Sequence, residues 1–250
     1  MIDLLSDPSI AIVAICAFLL GGIVKGAMGF GMPMVAIPVL TAVHSLPMAL
    51  SIAIVPVIAT NIWQLWKFRA HRRSEVLPKF LATGVFGLFT GALVLSYVRN
   101  AYLEIGLGLF VLSYLARRTR KSAPADPRFA PAFGFAAGVA HGTVGLSGLV
   151  GSPYFHALGL TRPKFIFCNT AMFMMFSVLH LISLKTLNLY SDGAVWIGFA
   201  TLIPAFTGLW IGDKLSARLS SSGFSRLITC MLIFGAILPI WNGLQSLLAG

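Results

Sequence analysis

A chain of 250 residues with 58% hydrophobic and only 10% charged side chains lies outside the range of a soluble globular domain, where about a quarter of residues are charged. Its net charge of +11 does not indicate a nucleic-acid partner, because the basic residues sit in short stretches between apolar runs rather than on one surface. The runs are continuous rather than alternating, which disfavours a β-barrel and leaves an all-α polytopic membrane protein.

In chain order, the first apolar segment spans about Ser9 to Phe30 and meets a break at Gly29, Gly31 and Pro33. A short apolar piece, Met34 to Val43, follows; it is too short to cross a bilayer comfortably. Full-length candidates run from Leu46 to Trp66, Val76 to Tyr97 and Ala101 to Ala116. The stretch Arg117 to Arg128 is basic and proline-containing. The same order then recurs: Pro131 to Val150 with its break, a short piece Pro153 to Leu160, and spans at Pro163 to Leu184, Gly193 to Ile211 and Phe224 to Leu247. The start of the chain lacks a basic n-region, and no small-residue cleavage site follows the first run, so no signal peptide is expected.

The recurrence is an internal duplication. Gly22, Gly26 and Gly29 match Gly138, Gly142 and Gly145 at one offset, Lys25 falls on His141, and Pro47 falls on Pro163. Phe89-Thr90-Gly91 matches Phe206-Thr207-Gly208. We expect a first transmembrane repeat over 1–116, a basic cytoplasmic linker over 117–130 and a second repeat over 131–250. If each broken helix and its short successor form a hairpin, the second repeat is inverted relative to the first. The basic residues support this: inversion puts loops 67–79 and 117–128, with Arg162, Lys164, Lys214, Arg218 and Arg226, on the cytoplasmic side, and only Arg99 and Lys185 outside. Both termini then face the cell exterior or periplasm. Duplicated membrane chains with glycine-interrupted helices in matching places are typically secondary transporters.

With paired Gly-x-x-x-Gly-x-x-Gly breaks opening each half and a proline beyond each break, the sequence resembles the TauE/SafE family over nearly its whole length. The resemblance implies a permease of the cytoplasmic membrane with about eight transmembrane segments, exporting small sulfur-containing anions such as sulfite or an organosulfonate. The chain departs from the richest glycine pattern of the family at Met32 and Ser147.

Chemistry concentrates at the breaks. Each looks like a loop feeding a new helix whose N-terminus points inward, and such a terminus carries about half a positive charge and free N–H groups suited to an oxyanion. Gly29, Gly31, Gly145 and Gly148 let an anion approach the backbone, and Ser147 can donate a hydroxyl. Gly22, Gly26, Gly138 and Gly142 read instead as close helix contacts. Lys25 lies deep in an apolar helix, where an ammonium costs about 2.5–3.5 kcal/mol on insertion scales, and a bound anion would offset that cost. Snorkelling, or pairing with Glu104, is the alternative. His141 can bind an anion or a coupling proton, or be a hydrogen-bonded packing residue. Asn61 and Gln64 share a helix face, as do their counterparts Ser177 and His180; with Asn169 and Thr170 they line a polar route or fasten helices together. Of these, Asn169 is the binding candidate because it lies nearest the break.

Cys16, Cys168 and Cys230 stand singly, so neither a metal nor a cofactor is expected. The expected partners are a small anion, a coupling proton and the lipid bilayer, and the oligomeric state is open, a homodimer included. Two rivals remain. Gly145-Leu-Ser147-Gly148 spells the Gly-x-Ser-Gly of an intramembrane serine protease, although Ser147 already has a repeat counterpart in Gly31; the other rival is an anion channel.

Overall fold

The computed structural model describes residues 8–72, 74–118, 125–191, 193–215, 233, 236, 237 and 240–248. Among them the chain is helical, with no strand. The helices are α1 (Pro8–Met28), α2 (Met32–Thr41), α3 (Leu46–Lys67), α4 (Val76–Tyr97), α5 (Asn100–Arg118), α6 (Ala130–Val144), α7 (Gly148–Ala157), α8 (Arg162–Thr186), α9 (Ala194–Ala200) and α10 (Leu202–Leu215); residues 240–248 are also helical. Residues 119–124 of the linker and 216–232, which include the start of the last expected span at 224–247, lie outside the described residues.

Among the described residues, four helices are long and apolar enough to cross a membrane, namely Ile10–Met28, Leu46–Lys67, Val76–Tyr97 and Arg162–Thr186. At 1.5 Å per residue, the 22 residues of α4 reach about 33 Å, enough for a hydrocarbon core of about 30 Å. The 15 residues of α6 reach only about 22 Å, and the 10 of α7 about 15 Å. Exposed Ile62, Phe86, Leu109, Phe199 and Ile203 give α3, α4, α5, α9 and α10 apolar outer faces, as a bilayer requires. The chain is a multi-pass membrane protein.

The duplication is visible in the element boundaries. α1 and α6 end at Met28 and Val144, α2 and α7 span 32–41 and 148–157, and α3 and α8 begin at Leu46 and Arg162, all offset by 116 (144 against 28, 148 against 32, 162 against 46). The structure moves two sequence expectations. The short second-half piece begins at Gly148, so Pro153 lies inside α7 rather than in its first turn. The span expected at Gly193 to Ile211 is two helices, α9 and α10, bent by 41°. Pro204 explains the bend: it has no N–H for the Ala200 carbonyl, and its ring crowds that carbonyl. Thr201 at the corner turns its hydroxyl onto the Gly198 carbonyl at 2.8 Å.

The chain forms two compact units, each drawing on both sequence halves. The first comprises Met1–Pro56, Val98–Arg120 and Ser191–Gly250; the second comprises Val57–Tyr97 and Lys121–Tyr190. In the first unit α1 lies along α10. A Cβ on Gly22 would sit 2.5 Å from the Ala205 carbonyl, and one on Gly26 would collide with the Leu209 carbonyl and the Asp213 amide. In the second unit α6 lies along α4, where Gly138 and Gly142 meet the Gly84 and Leu88 carbonyls. Backbone thus meets backbone, the small-residue packing expected for these four glycines.

These contacts also correct a register. They pair α4 with α10 at an offset of 121 (205 against 84, 209 against 88), so Gly87 and Gly91 correspond in packing to Gly208 and Gly212. The Phe-Thr-Gly match at 117 is displaced by four residues, close to one helical turn, which keeps the same face and so preserves the glycine signal.

Candidate functional site

The first break lies between α1 and α2. The Gly29 amide bonds back to the Lys25 carbonyl at 2.7 Å, Gly29 has φ 87°, and Gly31, the residue capping α2, has φ 108°. Left-handed backbone of this kind is costly for any side chain with a Cβ, and at Gly31 a Cβ would also press on Val24 at 2.9 Å. Pro33 then stands in the first turn of α2, where its missing N–H costs nothing. Lys25 occupies the last turn of α1 and is only 3% exposed. Its amine is therefore held inside the protein, at the helix end whose dipole favours a cation. The Glu104 carboxylate, considered as its partner, accepts the Asn100 side-chain amide at 2.5 Å.

The second break closes α6 differently. Gly145 takes φ 74°, its amide bonds to the His141 carbonyl at 2.8 Å, and the Leu146 amide reaches back to Ala140 at 3.2 Å. This left-handed closure, with its single bond from the Gly145 amide to the carbonyl four residues back, requires glycine only at position 145. Ser147, which replaces Gly31 of the first copy, sits in right-handed helical backbone, φ −52° and ψ −28°, so a side chain is tolerated there. Gly148 opens α7. The amides of Leu149, Val150 and Gly151 bond to the Leu146 and Ser147 carbonyls, so the turn consumes three of the donors expected to face an anion.

The side chains of the second unit meet at this break. His141 Nδ1 lies 3.0 Å from Ser147 Oγ, and its ring stands edge-on to His180 at 5.3 Å and to Phe176 at 5.6 Å. His141, Ser147 and His180 are all buried, at 3%, 0% and 2% exposure. His180 hydrogen-bonds the Gly142 backbone, taking up a carbonyl that the end of α6 leaves without a helical donor. Its Nε2 has no hydrogen-bond partner.

Asn169 is occupied otherwise. Its Nδ2 donates to the Phe165 carbonyl at 3.0 Å, and its Oδ1 accepts the Ser152 hydroxyl at 2.5 Å, fastening α7 to α8. Thr170 similarly donates to Gln64 Oε1 at 3.2 Å while also bonding its own helix at Ile166. Ser152→Ala leaves the Asn169 acceptor buried and unpaired, and should cost about 1 kcal/mol of stability, read as a lower unfolding temperature in detergent. Adding Asn169→Leu should cost less than the sum of the two single changes.

Sequence reasoning placed His180, the repeat counterpart of Gln64, on a polar helix face with Ser177 but did not bring it to His141. The two are 39 residues apart (180 against 141), and only the packing of α8 on α6 joins them. No group of three or more potential metal-ligating side chains occurs among the described residues.

The family model described as sulfite exporter TauE/SafE matches residues 13–238. The chain belongs to the TauE/SafE family. Membership makes it an exporter-type membrane transporter of the sulfite and organosulfonate class, and the members of the TauE/SafE family are transporters rather than enzymes. No curated protein and no solved structure matches the chain.

Proposed function

We propose that this TauE/SafE chain exports sulfite or a small organosulfonate across the cytoplasmic membrane by alternating access, with the anion bound by groups at the glycine breaks. Lys25, Gly29 and Gly31 supply a cation and open backbone at the first break; at the second, His141 and Ser147 supply side-chain groups, and Gly145 and Gly148 leave the backbone uncovered by side chains. Asn169 serves this reading as a positioning residue that holds α7 in place. The observation that carries it is Lys25: a lysine side chain at 3% exposure, one turn before a left-handed glycine break, in a chain of a sulfite exporter family. The arrangement as eight segments in two inverted repeats, with both termini outside, rests on the recurring element boundaries and the loop distribution of Lys and Arg. A proton moving with the anion fits the presence of His141 at the break.

A thermal-shift screen of the purified protein tests the substrate class. Sulfite, thiosulfate, sulfoacetate, taurine and simple carboxylates are the ligands. A sulfur oxyanion at 100 times its Kd should stabilise the fold by about 2.7 kcal/mol. A shift with carboxylates alone would remove the sulfur assignment.

A second reading draws on the Ser147–His141 contact, since 3.0 Å is within reach for a serine nucleophile and its base. The surroundings favour transport. His141 is flanked by the rings of Phe173, Phe176 and His180 rather than by an orienting carboxylate, and Ser147 is fully buried. Labelling of Ser147 by a fluorophosphonate probe would reverse that preference.

A further inference from the structure

The second break fixes a chemical polarity that the family resemblance does not contain. Because Gly145 ends α6 with a left-handed turn, the Gly142 carbonyl projects beyond the helical hydrogen-bond ladder, and His180 on α8 binds it. A carbonyl accepts only, so the ring nitrogen facing it must carry hydrogen. With Nε2 the nitrogen left without a partner, that hydrogen is assigned to Nδ1. In the neutral ring, Nε2 is then a bare lone pair, an acceptor in a place only 2% exposed. Beside it stand the His141 ring and, on His141, the Ser147 hydroxyl.

We propose that His180 Nε2 accepts a hydrogen bond from the substrate itself, so that this cluster takes an oxyanion carrying one O–H, hydrogen sulfite, in preference to a sulfonate without one. This rests on the reading of the chain as a sulfur-oxyanion transporter and names the protonation state it handles. The Ser147 hydroxyl suits a bare oxygen of such an anion, which only accepts. His180 suits the remaining O–H, which donates. A buried site built around a substrate hydroxyl rejects an analogue lacking it, because the site's own acceptor is then stranded. Methanesulfonate is that analogue: a methyl group replaces the hydroxyl, and charge and size are nearly kept.

Isothermal titration of the full-length protein in nanodiscs, at a mildly acidic pH where sulfite carries one proton, tests this with hydrogen sulfite and methanesulfonate. The wild type should bind hydrogen sulfite at least about tenfold more tightly. His180→Leu should bring the two affinities together, mainly by weakening hydrogen sulfite, and His180→Gln, whose amide oxygen can still accept, should restore part of the preference. Equal affinities in the wild type, or a preference unchanged in His180→Leu, overturn the inference while leaving the transporter reading intact. If neither ligand binds, the sulfur-oxyanion reading falls and takes this one with it. The wild-type ratio decides even if the leucine variant does not fold.

Discussion

Lys25→Met should abolish anion flux in proteoliposomes while the protein remains folded and monodisperse. The two side chains are similar in length and flexibility, so packing at the end of α1 changes little. Burying an ammonium in a membrane helix costs about 2.5–3.5 kcal/mol on insertion scales, so removing it should not weaken insertion. What the substitution removes is the positive charge, held at 3% exposure next to Gly29 and Gly31. Lys25→Arg keeps the charge in a planar, five-donor form and should transport at a reduced rate, because the anion then meets a different geometry. Initial rates of sulfite efflux, normalised to protein incorporated, make the measurement. Unchanged rates in Lys25→Met would remove this residue from the binding machinery and with it the main support for an anion held at the first break.

Gly142→Leu should prevent recovery of folded protein. A Cβ at this position meets the Leu88 carbonyl and the Ala92 amide of α4, and neither backbone group can rotate away as the end of a side chain would. α4 and α6 would have to separate along their length, and with no water in the bilayer core there is no hydrophobic drive to bring them back. Gly142→Ala should fold with a loss of about 1–3 kcal/mol, as for other overpacked interiors. Gly26→Leu should behave like Gly142→Leu, since the same contact recurs against Leu209 and Asp213 in the first unit. Gly106→Ala is the control: a Cβ there meets nothing within 4 Å, and α5 should gain up to about 1 kcal/mol of helix propensity. Size-exclusion profiles after heating would order the four variants. If Gly142→Leu matched Gly106→Ala in heat resistance, the close approach of α4 and α6 would be refuted.

Much was legible from sequence because membrane chains obey local rules. An apolar run must hydrogen-bond its own backbone in lipid, so helices α3, α4 and α8 begin within a residue of where their patterns do. Glycine and proline punctuation located both breaks, and a charge and a titratable group in apolar surroundings singled out Lys25 and His141 as candidates. The kink at Thr201 was missed because Pro204 was read within a continuous run rather than as a missing donor. Pro153 was misplaced for the reverse reason: proline is favoured at a helix start, but here Gly145 had already ended the preceding helix, leaving α7 to begin earlier.

Sequence by itself determined that the chain is helical, membrane-embedded and of the TauE/SafE family, because hydropathy, turn chemistry and glycine spacing are written along one dimension. Tertiary structure decided which half packs on which: α1 lies against α10 and α6 against α4, so each compact unit mixes the two sequence halves. It also decided which polar side chains are already engaged. Asn169 is held by Ser152 and Phe165, whereas His180 spends one nitrogen on Gly142 and keeps the other. Hydrogen bonding is a matter of ångströms between residues far apart in the chain, and only the packed helices set those distances.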